Sequence, residues 1–286
     1  MSEAPGASAL SFRTDDGVEL SALRYGQPAT ARGGVLIAPA MGVPQAFYAA
    51  FAQWLAGQGW LVMSFDYRGM GASREGSLRG LKADVMTWAQ SDLDAMLREA
   101  RSAGPGLPAF ALGHSLGGQL FGAVREGSRL DAIVTVTAGS GWYRHNHLMP
   151  LQVRFFWFVA IPLLTPLFGY FPGKRLRMVG DLPAGVAWQW RRWGTHPEYL
   201  LCEGEEMRRC FDAVGAPVLG FSFEDDAIIT QPAVDQLHGF YRNARVERRH
   251  LAPRDAGRAR IGHFGYFLPA SRDNLWRDTL DWLRSI

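Results

Sequence analysis

Four short runs without a charge decide most of what this chain can fold into. They are Gly34-Val35-Leu36-Ile37-Ala38-Pro39, Leu61-Val62-Met63-Ser64-Phe65, Ala109-Phe110-Ala111-Leu112-Gly113 and Ala132-Ile133-Val134-Thr135-Val136-Thr137. None alternates apolar with polar residues, so each reads as a strand buried on both faces. Between them lie helical patterns: an amphipathic stretch from about Ala46 to Gly57, a stripe of Val85, Trp88, Leu93, Met96 and Leu97 within Asp84–Arg101, and a small-residue stretch from Gly118 to about Arg125. Strict alternation of strand and helix predicts right-handed crossovers and a mostly parallel central sheet flanked by helices, an α/β protein. At 286 residues and 48% hydrophobic content the chain can bury a sizeable core, and one domain carrying an insertion is the simplest organisation.

The flanking regions fit the same frame. Leu10–Arg13 and Val18–Leu23 around Asp15-Asp16-Gly17 predict a leading hairpin. Asp66-Tyr67-Arg68-Gly69-Met70-Gly71-Ala72-Ser73 reads as a loop over an adjacent surface, and Ala40-Met41-Gly42-Val43-Pro44 as a turn where a buried parallel strand places ligand-binding backbone. Later, Gly204–Val214 predicts a helix, Pro217–Phe223 a strand, Gln231–Asn243 a helix and Val246–Leu251 a less apolar edge strand. Ser271 is expected to cap a final helix with Trp276, Leu280 and Leu283 on one face.

The pattern breaks between Gly139 and Leu201, where no strand-like run occurs. Instead Phe155–Phe171 is uncharged for seventeen residues, just short of a comfortable membrane span and interrupted by Pro162 and Pro166. A pair of short helices forming an apolar lid is the expectation there, with weak peripheral membrane contact as a further possibility.

Gly113-His114-Ser115-Leu116-Gly117 joins a buried strand to a helix and reads as a nucleophile elbow. On so tight a turn the serine is strained and its hydroxyl stands clear, while glycines two residues away on each side permit close packing. A serine hydroxyl needs a base to take its proton and a third group to orient that base. Of the seven histidines, His263 occupies a glycine-flanked loop past the last strand, whereas His114 lies within the elbow pointing away, His238 within a helix and His250 within a strand. His145, His147 and His196 fall in the insertion. Asp226 ends a buried strand and precedes an apolar turn, making it the preferred acid, with Asp225 the rival and Glu224 third. Alternation along a strand points adjacent residues opposite ways, so one of the two aspartates faces the histidine.

With Ser115, Asp226 and His263 in that order, each behind a strand, the chain resembles an α/β-hydrolase over nearly its full length. Gly113–Gly118 matches the elbow, and Asp66–Ser73 resembles the superfamily's usual post-strand loop. Gly262–Phe267 and Phe168–Lys174 are similar to a bacterial group of predicted α/β-hydrolases of unassigned substrate. The resemblance implies an α/β-hydrolase core over residues 1–138 and 202–286 and a helical apolar cap over 139–201. The His-Gly common after the third strand in that superfamily is replaced by Pro39-Ala40-Met41-Gly42, and the matching backbone donors for an oxyanion are Met41 and Leu116. Trp142, Phe156 and Trp188 of the cap are expected in the substrate pocket. The function implied is a serine hydrolase cleaving a carboxylic ester or thioester with a hydrophobic acyl or aromatic part. An acyltransferase using the same triad, or a non-catalytic scaffold for binding or peripheral membrane attachment, stands as the alternative.

Composition narrows the partners. The net charge is only +3, and the densest basic stretch, Arg242–Arg260, lacks interleaved aromatics, so it reads as a solvated face rather than a nucleic-acid surface. Cys202 and Cys210 show neither zinc nor disulfide spacing, and neither a metal nor another cofactor is expected. Met1–Ser11 has Glu3 and no basic-then-apolar pattern, so a cytoplasmic location is expected.

Overall fold

The structure, a computed structural model, describes residues 6–286; of the N-terminal stretch read for an export signal, residues 1–5 lie outside the described residues. The uncharged runs become strands as their composition requires. After the hairpin β1 (Ala7–Arg13) and β2 (Glu19–Tyr25) come β3 (Gly34–Ala38), β4 (Leu61–Phe65), β5 (Ala109–His114) and β6 (Ala132–Val136). A two-residue pair, β7 (Tyr170–Phe171) and β8 (Leu182–Pro183), precedes β9 (Val218–Phe223) and β10 (Val246–Leu251). The helices are α1 (Ala49–Gly57), α2 (Val85–Thr87), α3 (Asp94–Ala103), α4 (Leu116–Leu120), α5 (Pro150–Phe155), α6 (Ile161–Phe168), α7 (Ala184–Thr195), α8 (Glu205–Asp212), α9 (Gln231–His238) and α10 (Arg277–Ser285).

The main sheet runs β1-β2-β4-β3-β5-β6-β9-β10. The hairpin pairs antiparallel onto β4, and every pairing from β4 to β10 is parallel. From β3 the chain steps to β4 on one side and then to β5 on the other, so the strand order reverses at β3. Crevices at such reversals, beyond the carboxyl ends of the strands, are where α/β sheets bind ligands.

Alternation along each strand sends residues into two layers. Val35, Ile37, Val62, Val134 and Leu219 pack with Phe51 and Leu55 of α1 and with Trp276, Leu280 and Leu283 at the C-terminus. Leu36, Met63, Ala111 and Ile133 join the opposite layer with Trp88, Met96 and Phe211, and with Trp157, Ile161 and Trp193 from the 139–201 segment.

Four local expectations need correction. The helix from Asp84 to Arg101 contains a wide π turn over Trp88–Leu93, with Asp84 capping it by accepting the Thr87 amide at 2.7 Å. The helix after the elbow is short: α4 gives way to a tight turn at Phe121–Ala123, where Gly122 leaves room for the Phe211 ring of α8, and Val124 is extended. The apolar run is not two helices but one helical stretch from Pro150 to Phe168, with a π turn at Phe156–Ala160 just ahead of Pro162, whose missing N–H is absorbed there. Ser271 caps nothing; its buried hydroxyl donates to the Gly265 carbonyl at 2.8 Å. The β7–β8 pair is also a departure from the strandless segment expected, too short to be seen in a two-residue pattern.

Candidate active site

The turn after β5 drives Ser115 to φ 50° and ψ −115°, a region that strains any residue with a side chain. Neighbouring bonds hold it there: the Ser115 amide donates to the Val136 carbonyl at 2.9 Å, and its own carbonyl accepts the Gly118 and Gln119 amides. The glycines of the motif are steric necessities. A Cβ on Gly113 would lie 2.3 Å from the Gly118 nitrogen, and one on Gly117 would lie 2.2 Å from the Ala38 carbonyl oxygen.

The turn after β3 approaches from the neighbouring strand. Ala40 donates its amide to the Tyr48 hydroxyl at 2.8 Å, and Val43 donates to the Ala40 carbonyl at 3.1 Å. Between them the Met41 amide has no acceptor among the described residues, and neither has the Leu116 amide in the first turn of α4. Gly42, at φ 76°, touches the loop of the 139–201 segment so closely that a Cβ would lie 2.4 Å from the Gly180 nitrogen.

Asp226 and His263 meet beyond the ends of β9 and β10. Asp226, one turn beyond β9, accepts from His263 Nδ1 at 2.8 Å through one carboxylate oxygen and from the Ile228 and Ile229 amides through the other. Holding the proton on Nδ1 leaves His263 Nε2 as the accepting nitrogen. Asp225 does not compete for the ring. Its carboxylate accepts the Ile261 and Gly262 amides, both at 2.9 Å, and fastens the loop that carries His263. Glu224 is exposed.

His114, read as pointing away from the nucleophile, does so and ties the three loops together. Tyr48 donates to its Nδ1 at 2.9 Å while its Nε2 donates to the His263 carbonyl at 2.9 Å. Burial, reinforced by the His263 ring, pushes its pKa well below the usual 6.5, consistent with the neutral ring those bonds require.

Ser115, His263, Met41 and Leu116 line one cavity of about 710 Å³. His263 is the one histidine among its lining residues. The Ser115 hydroxyl forms no hydrogen bond to the ring, a contact that in such sites commonly tightens when substrate binds. The pocket residues expected from the insertion need correction. Trp142 packs edge-on against His145, Phe156 is buried among Trp157, Phe171 and Trp190, and Trp188 is 41% exposed; none lines the cavity. Its wall is formed instead by Trp190 and Tyr199, whose hydroxyl accepts from the Trp190 indole at 3.1 Å and donates to Gln119 at 2.8 Å. Helical spacing held the signal: Val186, Trp190 and Trp193 recur at intervals of four and three on the inward side of α7, and Trp188 falls between them.

The loop Asp66–Ser73 also differs from its reading as a surface loop, because its charges are buried. Asp66 accepts the Gln45 and Ala72 amides at 2.8 Å, and burial raises its pKa. Arg68 is clamped between Asp92 of the π turn and Asp16 of the hairpin turn, at 2.6 Å from each. Burial pushes Asp92 up to about 6, whereas hydrogen bonding to Arg68 holds the more exposed Asp16 at about 2.

A reversed parallel sheet with a strained serine after β5 and an Asp–His pair beyond β9 and β10 is the arrangement of the α/β-hydrolase fold. The chain has that fold. More particularly, the family model for serine aminopeptidase, S33, matches residues 25–161. Among solved structures it is similar to a soluble variant of monoglyceride lipase from Saccharomyces cerevisiae in complex with a substrate analogue, at 17% identity, 100% of this chain, 98% of that chain and TM-score 0.68. It is also similar to a thermostable carboxyl esterase from Bacillus coagulans in complex with glycerol, at 14% identity, 98% and 99% coverage and TM-score 0.65. DcsB in complex with its substrate analogue aligns at 14% identity over 98% and 99%, with TM-score 0.68. No curated protein matches the sequence.

Proposed function

We propose that this protein hydrolyses a carboxylic ester or thioester with a hydrophobic acyl or aromatic part. The observation that carries the reading is the His263–Asp226 bond at 2.8 Å with His263 and Ser115 on one cavity wall. Ser115 Oγ attacks the carbonyl carbon as His263 Nε2 takes its proton, and Asp226 stabilises the imidazolium through Nδ1. The unpaired Met41 and Leu116 amides donate hydrogen bonds to the negative charge that gathers on the carbonyl oxygen. His263 returns the proton to the leaving alcohol or thiol, and water then cleaves the acyl-enzyme by the same route. A mostly apolar cavity of about 710 Å³ suits a mid-sized acyl compound, and the 139–201 segment acts as a lid that excludes water from it. The ester activities named for the yeast lipase and the Bacillus esterase support the same substrate class.

A fluorophosphonate probe tests the reading. Stoichiometric labelling of the wild type that vanishes in Ser115→Ala is the expected result, followed by hydrolysis across a p-nitrophenyl ester chain-length panel. Absence of labelling and of turnover in the folded wild type overturns it.

A further inference from the structure

The helical stretch Pro150–Phe168 is long and apolar enough to cross a membrane, yet it is built into the protein along one side. Phe156, Trp157, Ala160 and Ile161 belong to the main core cluster, so lipid cannot surround it. Its other side carries Leu151, Phe155, Phe158, Leu163 and Leu167, exposed by 46–75%. Their intervals are four, three, five and four residues. The longer interval spans the π turn, whose extra residue keeps the stripe in line. Exposed Trp188 adjoins it, because the Arg191 guanidinium lies 5.9 Å from both the Phe158 and Trp188 rings. At the C-terminal end Arg175 sits 5.8 Å over Phe168 and leads into exposed Leu176 and Met178, and Met178 also lines the cavity. An apolar surface this extensive marks a contact site.

Charge selects what covers it. Residues 139–201 hold seven basic side chains against two acidic ones, a net +5, which leaves −2 on the rest of the chain. The two acids, Asp181 and Glu198, are engaged by Arg74 and Arg208 from outside the segment, and Arg192 by Glu203. Arg144, Arg154, Lys174, Arg175, Arg177 and Arg191 pair with no carboxylate among the described residues. A second copy docked about a two-fold axis would set two such cationic rims together. Anionic lipid complements the rim and the stripe at once.

We propose that residues 139–201 seat this protein on an anionic bilayer. Helix Pro150–Phe168 lies in the headgroup plane with its stripe towards the acyl chains, the arginines contact lipid phosphates, and the cavity edge at Met178 adjoins the lipid. The seating is separate from which acyl compound Ser115 turns over, and failure of one reading leaves the other standing.

Flotation of the full chain with phosphatidylcholine vesicles, and with vesicles containing roughly a third phosphatidylglycerol, tests it. Binding only to the anionic vesicles, released by high salt, is expected. Arg154→Gln/Arg175→Gln should lower the vesicle partition coefficient about 25-fold, from about fivefold per lost charge. Leu151→Asp/Leu163→Asp/Leu167→Asp should abolish flotation while leaving the thermal midpoint and fluorophosphonate labelling in solution unchanged. Equal binding to neutral vesicles, no flotation of the wild type, or a solution dimer that the triple variant dissolves would overturn the proposal, the last by making a second copy the occupant.

Discussion

Asp225 and Asp226 are adjacent in sequence and hold His263 in different ways, one through the ring and one through the loop behind it. Replacing each therefore fails differently. Asp226→Asn should lower kcat about 10⁴-fold, because an amide favours the wrong tautomer, with little change in the thermal midpoint. Asp225→Ala should cost about 1–3 kcal/mol by orphaning two amides, and reduce kcat about 10- to 100-fold through a displaced ring. Parallel measurements of kcat and urea denaturation separate the two. Strand alternation already said that only one carboxylate faces the histidine; that the other clamps backbone was invisible, since nothing in a sequence shows which amides need an acceptor. His114 was likewise legible as turned away but not as a tie between loops. The native state excludes a proton from it that the unfolded chain accepts below about 6.5, so its stabilisation is complete above that pH and lost as pH falls. His114→Gln should cost stability at alkaline pH, and its gap to the wild type should narrow by about 1.4 kcal/mol per pH unit below 6.5 in denaturation curves.

Among the elements, the fully buried strands were legible because uncharged runs bounded by turn residues have few alternatives. The π turns were not. Each inserts one residue into a helical pattern that periodicity reads as unbroken, and two of the three serve a tertiary demand: Trp88–Leu93 brings Asp92 to Arg68, and Phe156–Ala160 accommodates Pro162, the third lying at Arg272–Trp276. The Arg68 cluster binds the hairpin turn, the loop after β4 and the π turn into one unit. Removing only the cation would leave Asp92 buried and unpaired. Arg68→Met should destabilise by about 3–5 kcal/mol, whereas Arg68→Met/Asp92→Leu should recover most of that loss in urea titrations.

At the scale of the whole molecule, the parallel sheet was legible because alternating strands and helices leave few topologies. The reversal at β3 is what the sequence could not place, and it brings the turns after β3 and β5 side by side. The apolar segment was recognised as exceptional, but which of its aromatics face inward depended on the packing of α7. Its loop meets the turn after β3 through Gly42 and Gly180, with no room for a side chain on either. The 139–201 segment and the turn that carries the Met41 amide therefore cannot shift independently. Anyone grafting a foreign lid onto this scaffold would have to transplant that bare backbone contact with it, or lose the register of the Met41 amide along with the original roof.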